Sequence, residues 1–118
     1  MRFLSLIRVQ ENTGKAPSER MMREMGELLG EMRRTGTLLD TAGLASTAKS
    51  KRVRLRGGKM SVVDGPFTET KEVVGGYIML KAESLEEAIA LTERFVELHR
   101  ADGWELDCEV RQLYEADL

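Results

Sequence analysis

Cysteine, histidine and long apolar segments are scarce in this sequence. It contains one cysteine and one histidine in 118 residues. A single cysteine cannot form an internal disulfide bond, and with one histidine it cannot build a Cys/His zinc site. No apolar segment approaches the about 18 residues that a membrane-spanning helix needs, and the first residues lack the layout of a signal peptide. These shortages predict a reduced cytoplasmic protein with no membrane partner.

Neither sign of charge is in large excess. The 18 lysines and arginines nearly balance the 20 aspartates and glutamates, which gives a net charge of −2 and a pI near 5.5. A chain without a positive excess has no general attraction for nucleic acid, so we expect no nucleic-acid partner. The sequence also lacks a phosphate-binding glycine loop, a dinucleotide fingerprint, a serine elbow and a zincin motif. We therefore predict no cofactor, although a cofactor-independent lyase or isomerase stays compatible with these absences.

Length and apolar spacing predict one domain, residues 1–118, with mixed secondary structure. The first helix is expected to start at Ser18 as its N-cap and to end at Gly36, and it carries a methionine stripe that is typical of core packing. The second helix opens with a capping box, in which Ser84 is the N-cap and Glu87 reaches back. Its apolar spacing predicts that it buries Leu85, Ala88, Ile89, Thr92 and Val96. Strands are predicted over residues 2–9, 37–44, 51–56, 59–64, 73–82 and 106–113, and helices over residues 18–35 and 84–100.

The most regular local pattern is KRVRLRGGKMSVVD at residues 51–64. Two alternating runs flank Gly57-Gly58, a two-residue hairpin turn that tolerates positive φ at both positions. This turn predicts a register in which Lys51 faces Asp64. One face of the hairpin is then apolar, and the other carries Arg52, Arg54 and Arg56. These arginines could bind a carboxylate or phosphate, or they could keep an exposed strand from pairing.

Without the hairpin, the element order is the βαββαβ order of a ferredoxin-like α+β fold. Its two helices cover one face of an antiparallel sheet, yet the first strand is apolar on both faces. A second copy of the chain is the simplest cover for the other face, so we predict a homodimer. The residues expected at its seam are Phe3, Ser5, Ile7, Tyr77 and Met79.

The segment between the hairpin and the next strand, residues 64–72, holds the densest set of functional side chains. It reads DGPFTETKE and contains three carboxylates and one ammonium group. The Gly65-Pro66 pair is expected to define a turn, because proline fixes its own φ and restricts the residue before it. Phe67 is then expected to anchor the loop in the core while the charged side chains stay at the rim.

The longer stretch DGPFTETKEVVGGY, residues 64–77, resembles the signature of the DGPF branch of the YCII-related family. The resemblance implies a dimeric α+β barrel of ferredoxin-like protomers and a poorly defined activity. Some relatives are described as transcription-initiation proteins. Others are lyase-like enzymes with a His–Asp pair, whose histidine lies on the first helix. The first helix here, residues 18–35, has no histidine, so Asp64 matches the acid without its partner.

The favoured prediction is a small cytoplasmic homodimer that binds a small polar or anionic ligand. Its predicted ligand-binding residues are Arg54, Glu69, Lys71 and Tyr77. One alternative is a cofactor-independent lyase- or isomerase-like enzyme with Asp64 as its catalytic acid or base, and the question of catalysis stays open. Another alternative is an accessory protein in transcriptional regulation that acts through protein contacts. Asp64 also has a structural interpretation, as a turn residue or as the cross-strand partner of Lys51.

Other reactive side chains favour a structural interpretation. His99 could be a general acid or base, but a helix-end cation or a solvated side chain is the favoured interpretation. Cys108 lies on an alternating strand, which predicts a buried small hydrophobic residue and not a nucleophile. Asp64, Glu69 and Glu72 could hold a hard cation, but they lack the pattern of a ligand loop, so we predict no metal site.

Overall fold

The computed structural model describes residues 1–115, so residues 116–118 of the predicted domain lie outside the described residues. In this part of the chain, six strands and two helices follow the predicted order. They are β1 (Arg2–Val9), α1 (Glu19–Arg34), β2 (Leu38–Gly43), β3 (Lys51–Arg56), β4 (Lys59–Asp64), β5 (Val73–Lys81), α2 (Leu85–Glu97) and β6 (Asp107–Gln112). Short 3₁₀ turns lie at Thr47–Lys49 and Arg100–Asp102. Neither of the two helices is long and apolar enough to cross a membrane.

The main sheet is antiparallel, with the strand order β2-β5-β1-β6. Both helices pack on one of its faces, where Met32 of α1 and Phe95 of α2 join Ile78 and Leu80 of β5 in one apolar core. This arrangement confirms the predicted α+β, ferredoxin-like class. A barrel formed by two copies stays a prediction.

The β1 residues predicted for the dimer seam face the helices of their own chain. Phe3 and Ser5 face the helices and are fully buried within the single chain, and Ile7 packs against the same core. The hydroxyl oxygen of Ser5 lies 2.6 Å from that of Thr92 in α2. These three residues of β1 are therefore not available to a second copy, which corrects the seam. The opposite face, which we call the open face, is formed by two cross-strand pairs: Leu4 with Met79, and Leu6 with Tyr77.

Helix α2 starts at the predicted cap but buries fewer residues than expected. The Glu87 N–H donates to Ser84 Oγ at 3.1 Å, and the Glu87 carboxylate accepts from the N–H of Glu83. Leu85 and Ile89 were expected to be buried, yet 43% and 40% of their surface is exposed. The reason is the position of α2, which packs beside β6, the edge strand of the main sheet within residues 1–115.

The hairpin of β3 and β4 is a separate two-stranded sheet. Its register is the predicted one, with Lys51 opposite Asp64, and both turn glycines have positive φ. Its apolar side faces solvent in the single chain, and we call it the apolar hairpin face. It consists of Val53, Leu55, Met60 and Val62.

Candidate functional site

The signature segment, residues 64–72, is held against the 3₁₀ turn at Thr47–Lys49. The backbone N–H of Gly65 donates to the carbonyl oxygen of Ser50 at 2.8 Å. A Cβ atom at position 65 would lie 1.7 Å from the carbonyl oxygen of Thr47. Only glycine permits this approach, so Gly65 sets the path of the segment. The peptide bond between Gly65 and Pro66 is cis.

Thr47 also connects the signature segment to the end of β1. The Glu11 carboxylate accepts hydrogen bonds from the Thr47 N–H at 2.8 Å and from its hydroxyl at 2.6 Å. The backbone N–H of Phe67 donates to the same hydroxyl oxygen at 3.3 Å. Because Glu11 follows β1 by two residues, these bonds place residues 10–12 beside the signature segment.

Phe67 anchors the segment as predicted, with 9% of its surface exposed. The guanidinium group of Arg52 stacks on the ring, 3.8 Å from its centroid, and pairs with the Glu69 carboxylate. A hydrogen bond from its own backbone N–H, followed by the bond from Arg52, lowers the pKa of the Glu69 carboxyl. Glu69 therefore helps to hold the loop, and its role in ligand binding stays a prediction.

Three other predicted site residues lie apart from one another. The Asp64 side chain is 77% exposed and lies 3.3 Å from the Lys51 ammonium, which confirms the cross-strand interpretation. Arg54 lies on the basic face of the hairpin. Tyr77 lies on the open face, and its hydroxyl donates to Asp40 at 2.8 Å, a bond that raises the pKa of Tyr77. None of the three lines the clefts described next, and their functional roles stay predictions.

The clefts near the signature segment share Gln10, the residue after β1. A cleft of about 550 Å³ is lined by Gln10, Lys71 and Trp104 near the end of α2. A second cleft of about 250 Å³ separates residues 10–12 from the signature segment, and Gln10 and Lys71 line it as well. Further hollows join Gln10 to Lys15 and Trp104. We call this region the Gln10 cleft and define it by Gln10, Asn12, Lys15, Lys71 and Trp104.

Trp104 is the residue of the Gln10 cleft with an unusual environment. Its indole nitrogen is buried and has no hydrogen-bond partner within residues 1–115. The Lys15 ammonium lies 5.7 Å from the centroid of the indole ring. Nearly all buried donors in proteins are hydrogen-bonded, so this unpaired N–H is an exception among the described residues.

His99 is buried, with 7% of its surface exposed, which corrects the interpretation as a solvated side chain. Its Nδ1 lies 3.1 Å from the carbonyl oxygen of Phe95. Its ring contacts both Phe95 and Trp104, with centroids 5.0 Å and 6.0 Å away. The burial follows from Gly103, whose φ of 70° turns the chain back so that Trp104 covers the imidazole.

Asp102 fixes the segment before Trp104 to the start of α1. The Ser18 hydroxyl donates to its Oδ2 at 2.7 Å, and the Arg20 guanidinium donates to its Oδ1 at 3.1 Å. These two bonds, with that of Ser18 the stronger influence, lower the pKa of the Asp102 carboxyl. The predicted cap role of Ser18 is confirmed by its bond from the Met21 N–H. Its pairing with a residue 84 positions away has no local signal in the sequence.

The thiol of Cys108 lies outside this cleft. Cys108 is half-buried, and burial raises the pKa of its thiol to about 11, so the thiol stays protonated at neutral pH. This agrees with the prediction of a small hydrophobic residue. Within residues 1–115, no group of three or more histidine, cysteine, aspartate or glutamate side chains is placed to hold a metal ion.

Two comparisons with known proteins relate this chain to others. It is 35% identical over 75 residues to the "Uncharacterized protein R00369" of Rhizobium meliloti (strain 1021). That match covers 64% of this chain and 60% of the relative, so the chain spans less than two thirds of the relative's length. The family model described as the YCII-related domain matches residues 1–101. Because this match extends over most of the chain, the protein belongs to the YCII-related family.

Proposed function

We propose that the protein is a cytoplasmic homodimer that binds a small polar or anionic molecule in the Gln10 cleft. The observation that carries this proposal is the buried indole nitrogen of Trp104, a donor that no described residue uses. A buried donor without a partner costs about 1–3 kcal/mol. A ligand oxygen that accepts this bond would remove the cost, so the cleft favours a ligand with acceptor atoms.

The side chains around the cleft favour a carboxylate or phosphate as that acceptor. Lys15 and Lys71 contribute ammonium groups, and Gln10 and Asn12 contribute amide groups. Hydrogen bonds from an ammonium group to an anionic oxygen are roughly twice as strong as neutral ones. Glu11 also lines the smaller cleft, and both of its carboxylate oxygens accept hydrogen bonds from Thr47 of the neighbouring 3₁₀ turn.

Acidic side chains also line the larger cleft, and they narrow the ligand class. These residues are Glu72, Glu97, Glu105 and Asp107. A molecule with an anionic group at one end and hydroxyl or ammonium donors at the other would match both kinds of side chain. Small hydroxy acids, amino acids and sugar phosphates have this character.

The homodimer in this proposal is supported by the open face. Leu4 and Leu6 lie in the centre of the sheet with Tyr77 and Met79 beside them, and both helices lie on the other face. An antiparallel sheet with apolar residues on both faces needs a cover on each. A second copy placed on the open face would supply that cover.

The two alternatives differ in what supports them. Catalysis by Asp64 gains no support from its position, because the carboxylate is exposed and paired with Lys51, whereas catalytic acids are tuned by burial or by a specific shielded partner. A role through protein contacts is supported by the apolar hairpin face, which is exposed in the single chain.

Fluorescence of Trp104 tests ligand binding, since it is the only tryptophan in the chain. We would titrate the protein with acetate, glycerate, serine, inorganic phosphate and glycerol phosphate and follow the emission. We expect a saturable change with at least one of these compounds. Lys71→Ala should weaken that binding about tenfold or more, because one charge-assisted hydrogen bond of about 1.5–3 kcal/mol is lost.

Lys59→Ala is the matched control, because it removes the same charge at the hairpin tip, outside the cleft. If no compound changes the emission or the unfolding temperature, or if both variants bind as the wild type does, the ligand proposal is wrong. The dimer is tested separately by sedimentation velocity at micromolar concentration. A monomeric wild type would contradict it, and Met79→Glu is expected to weaken it.

A further inference from the structure

The apolar hairpin face is a contiguous surface and not a set of scattered side chains. Val53 faces Val62 and Leu55 faces Met60 across the two strands, and each leaves 59–73% of its surface exposed. Contiguous exposed apolar surface marks a contact site, whereas single exposed residues are ordinary. An isolated two-stranded hairpin is also only marginally stable in water, so this one needs a surface to pack against.

A second unpartnered apolar surface lies at the other edge of the fold. It is a groove of about 610 Å³ between α2 and β6, and we call it the α2–β6 groove. Its apolar lining includes Leu85, Ile89, Val96, Cys108 and Val110. The groove is open because β6 is an edge strand, so that the outer side of α2 overhangs the sheet.

The two surfaces carry opposite charge. The hairpin, residues 51–64, has five basic side chains and one acidic side chain, so its charge is +4 while the rest of the chain carries −6. The charged residues of the groove are Glu93, Glu97 and Asp107, together with Arg100, which is ion-paired with Glu97. The Debye length is about 8 Å at physiological salt. Basic side chains on both faces of the two-stranded hairpin would therefore still attract the acidic side chains at the rim of the groove.

We propose that the apolar hairpin face of one copy docks in the α2–β6 groove of a second copy. Apolar side chains then cover apolar side chains, and the basic hairpin lies along the acidic rim. A reciprocal exchange about a twofold axis makes two such contacts and closes the assembly at a dimer. This contact does not involve the open face, and it goes beyond the proposed function. The groove shares Val96, Glu97, Arg100, Leu106 and Asp107 with the larger part of the Gln10 cleft, so the tests use Cys108 and hairpin residues, which lie outside that cleft.

The single cysteine of the chain allows a direct test, because Cys108 lines the groove. Leu55→Cys adds one thiol at the centre of the apolar hairpin face, where 67% of the leucine is exposed, so the fold should tolerate it. After oxidation with copper–phenanthroline, we expect a covalent dimer whose digest links position 55 to position 108. Ser61→Cys is the matched control, because it adds a thiol to the basic face of the same hairpin. It should form little covalent dimer after the same oxidation.

Adding Cys108→Ser to the Leu55→Cys variant identifies the partner. Loss of the covalent dimer supports the proposal, whereas a dimer that persists shows hairpins in contact with each other and overturns it. A link within one chain, or no link, overturns it as well.

A non-covalent test uses sedimentation of Leu55→Glu beside Ser61→Glu. We expect dimerisation to weaken at least about tenfold in Leu55→Glu alone, because a charge would enter an apolar groove. Equal dissociation of the two variants would overturn the proposal. Met79→Glu reports on the open face, so a failure there is distinguishable from a failure here.

Discussion

Replacement of Phe67 by alanine is expected to reduce the free energy of unfolding by about 3 kcal/mol. The ring is buried to 9% exposure in a loop that is otherwise polar. Loss of a buried phenylalanine costs about 3–5 kcal/mol, and a loop that can partly collapse favours the lower end of that range. The contact between the ring and the Arg52 guanidinium, at 3.8 Å, accounts for about 0.5–1 kcal/mol of that loss.

Urea unfolding followed by far-UV circular dichroism measures this change directly. For a domain of this size, a loss of about 3 kcal/mol should lower the thermal midpoint by roughly 10–15 °C. Phe67→Leu is the matched control, because it keeps most of the volume and should cost less than about 1.5 kcal/mol. A denaturation midpoint that is the same in Phe67→Ala and the wild type would refute the anchoring role, since the loop would then contribute nothing to the stability of the fold.

Three further predictions concern particular contacts. Gly65→Ala should destabilise the fold by more than about 1 kcal/mol, because the added Cβ would meet a backbone oxygen. Gly26→Ala, in open space on α1, should instead stabilise the fold by up to about 1 kcal/mol. Thermal midpoints that shift equally in the two variants would contradict this prediction. Thr92→Val should lower the free energy of unfolding by about 1–3 kcal/mol, because the buried Ser5 hydroxyl loses its partner. Adding Ser5→Ala should restore part of that loss. Urea unfolding of Thr92→Val that matches the wild type would contradict this prediction. Burial raises the pKa of the Cys108 thiol from 9.0 to about 11, so the thiol ionises first in the unfolded chain and the free energy of unfolding should fall as the pH rises from 9 to 11. Cys108→Ala should lack this part of the fall. Identical pH profiles of stability for the variant and the wild type would contradict this prediction.

The features predicted correctly from the sequence are those that neighbouring residues determine. Two glycines with positive φ fix the hairpin register, because a two-residue loop leaves no other pairing. Ser18 and Ser84 cap their helices through bonds to residues three positions away. The signature at residues 64–77 indicated the YCII-related family, which is confirmed, while its DGPF branch stays a prediction.

The Gln10 cleft could not be predicted in the same way, because distant segments build it. Gln10 follows the first strand, Lys71 belongs to the signature segment, and Trp104 follows the second helix. Density of charge along the chain pointed to Asp64, yet that carboxylate is used within the hairpin. The burial of His99 depends on Trp104 folding back over it, and alternation or charge spacing carries no signal for such a turn.

Apolar alternation shows which residues share a face, but it does not show what covers that face. The pattern grouped Phe3 with Ser5 correctly, and only the packing of the helices decides that this face is internal and the Leu4 face is open. The same ambiguity applies to the outer side of α2 and to the hairpin, which both read as ordinary amphipathic elements. Within residues 1–115 of one chain, three apolar surfaces stay uncovered: the open face, the α2–β6 groove and the apolar hairpin face. The groove and the hairpin are opposite in charge and can cover each other, whereas the open face can be covered by its own copy. We expect one symmetric pair of chains to form both contacts, so variants at Met79 and at Leu55 should each weaken the assembly without abolishing the other contact.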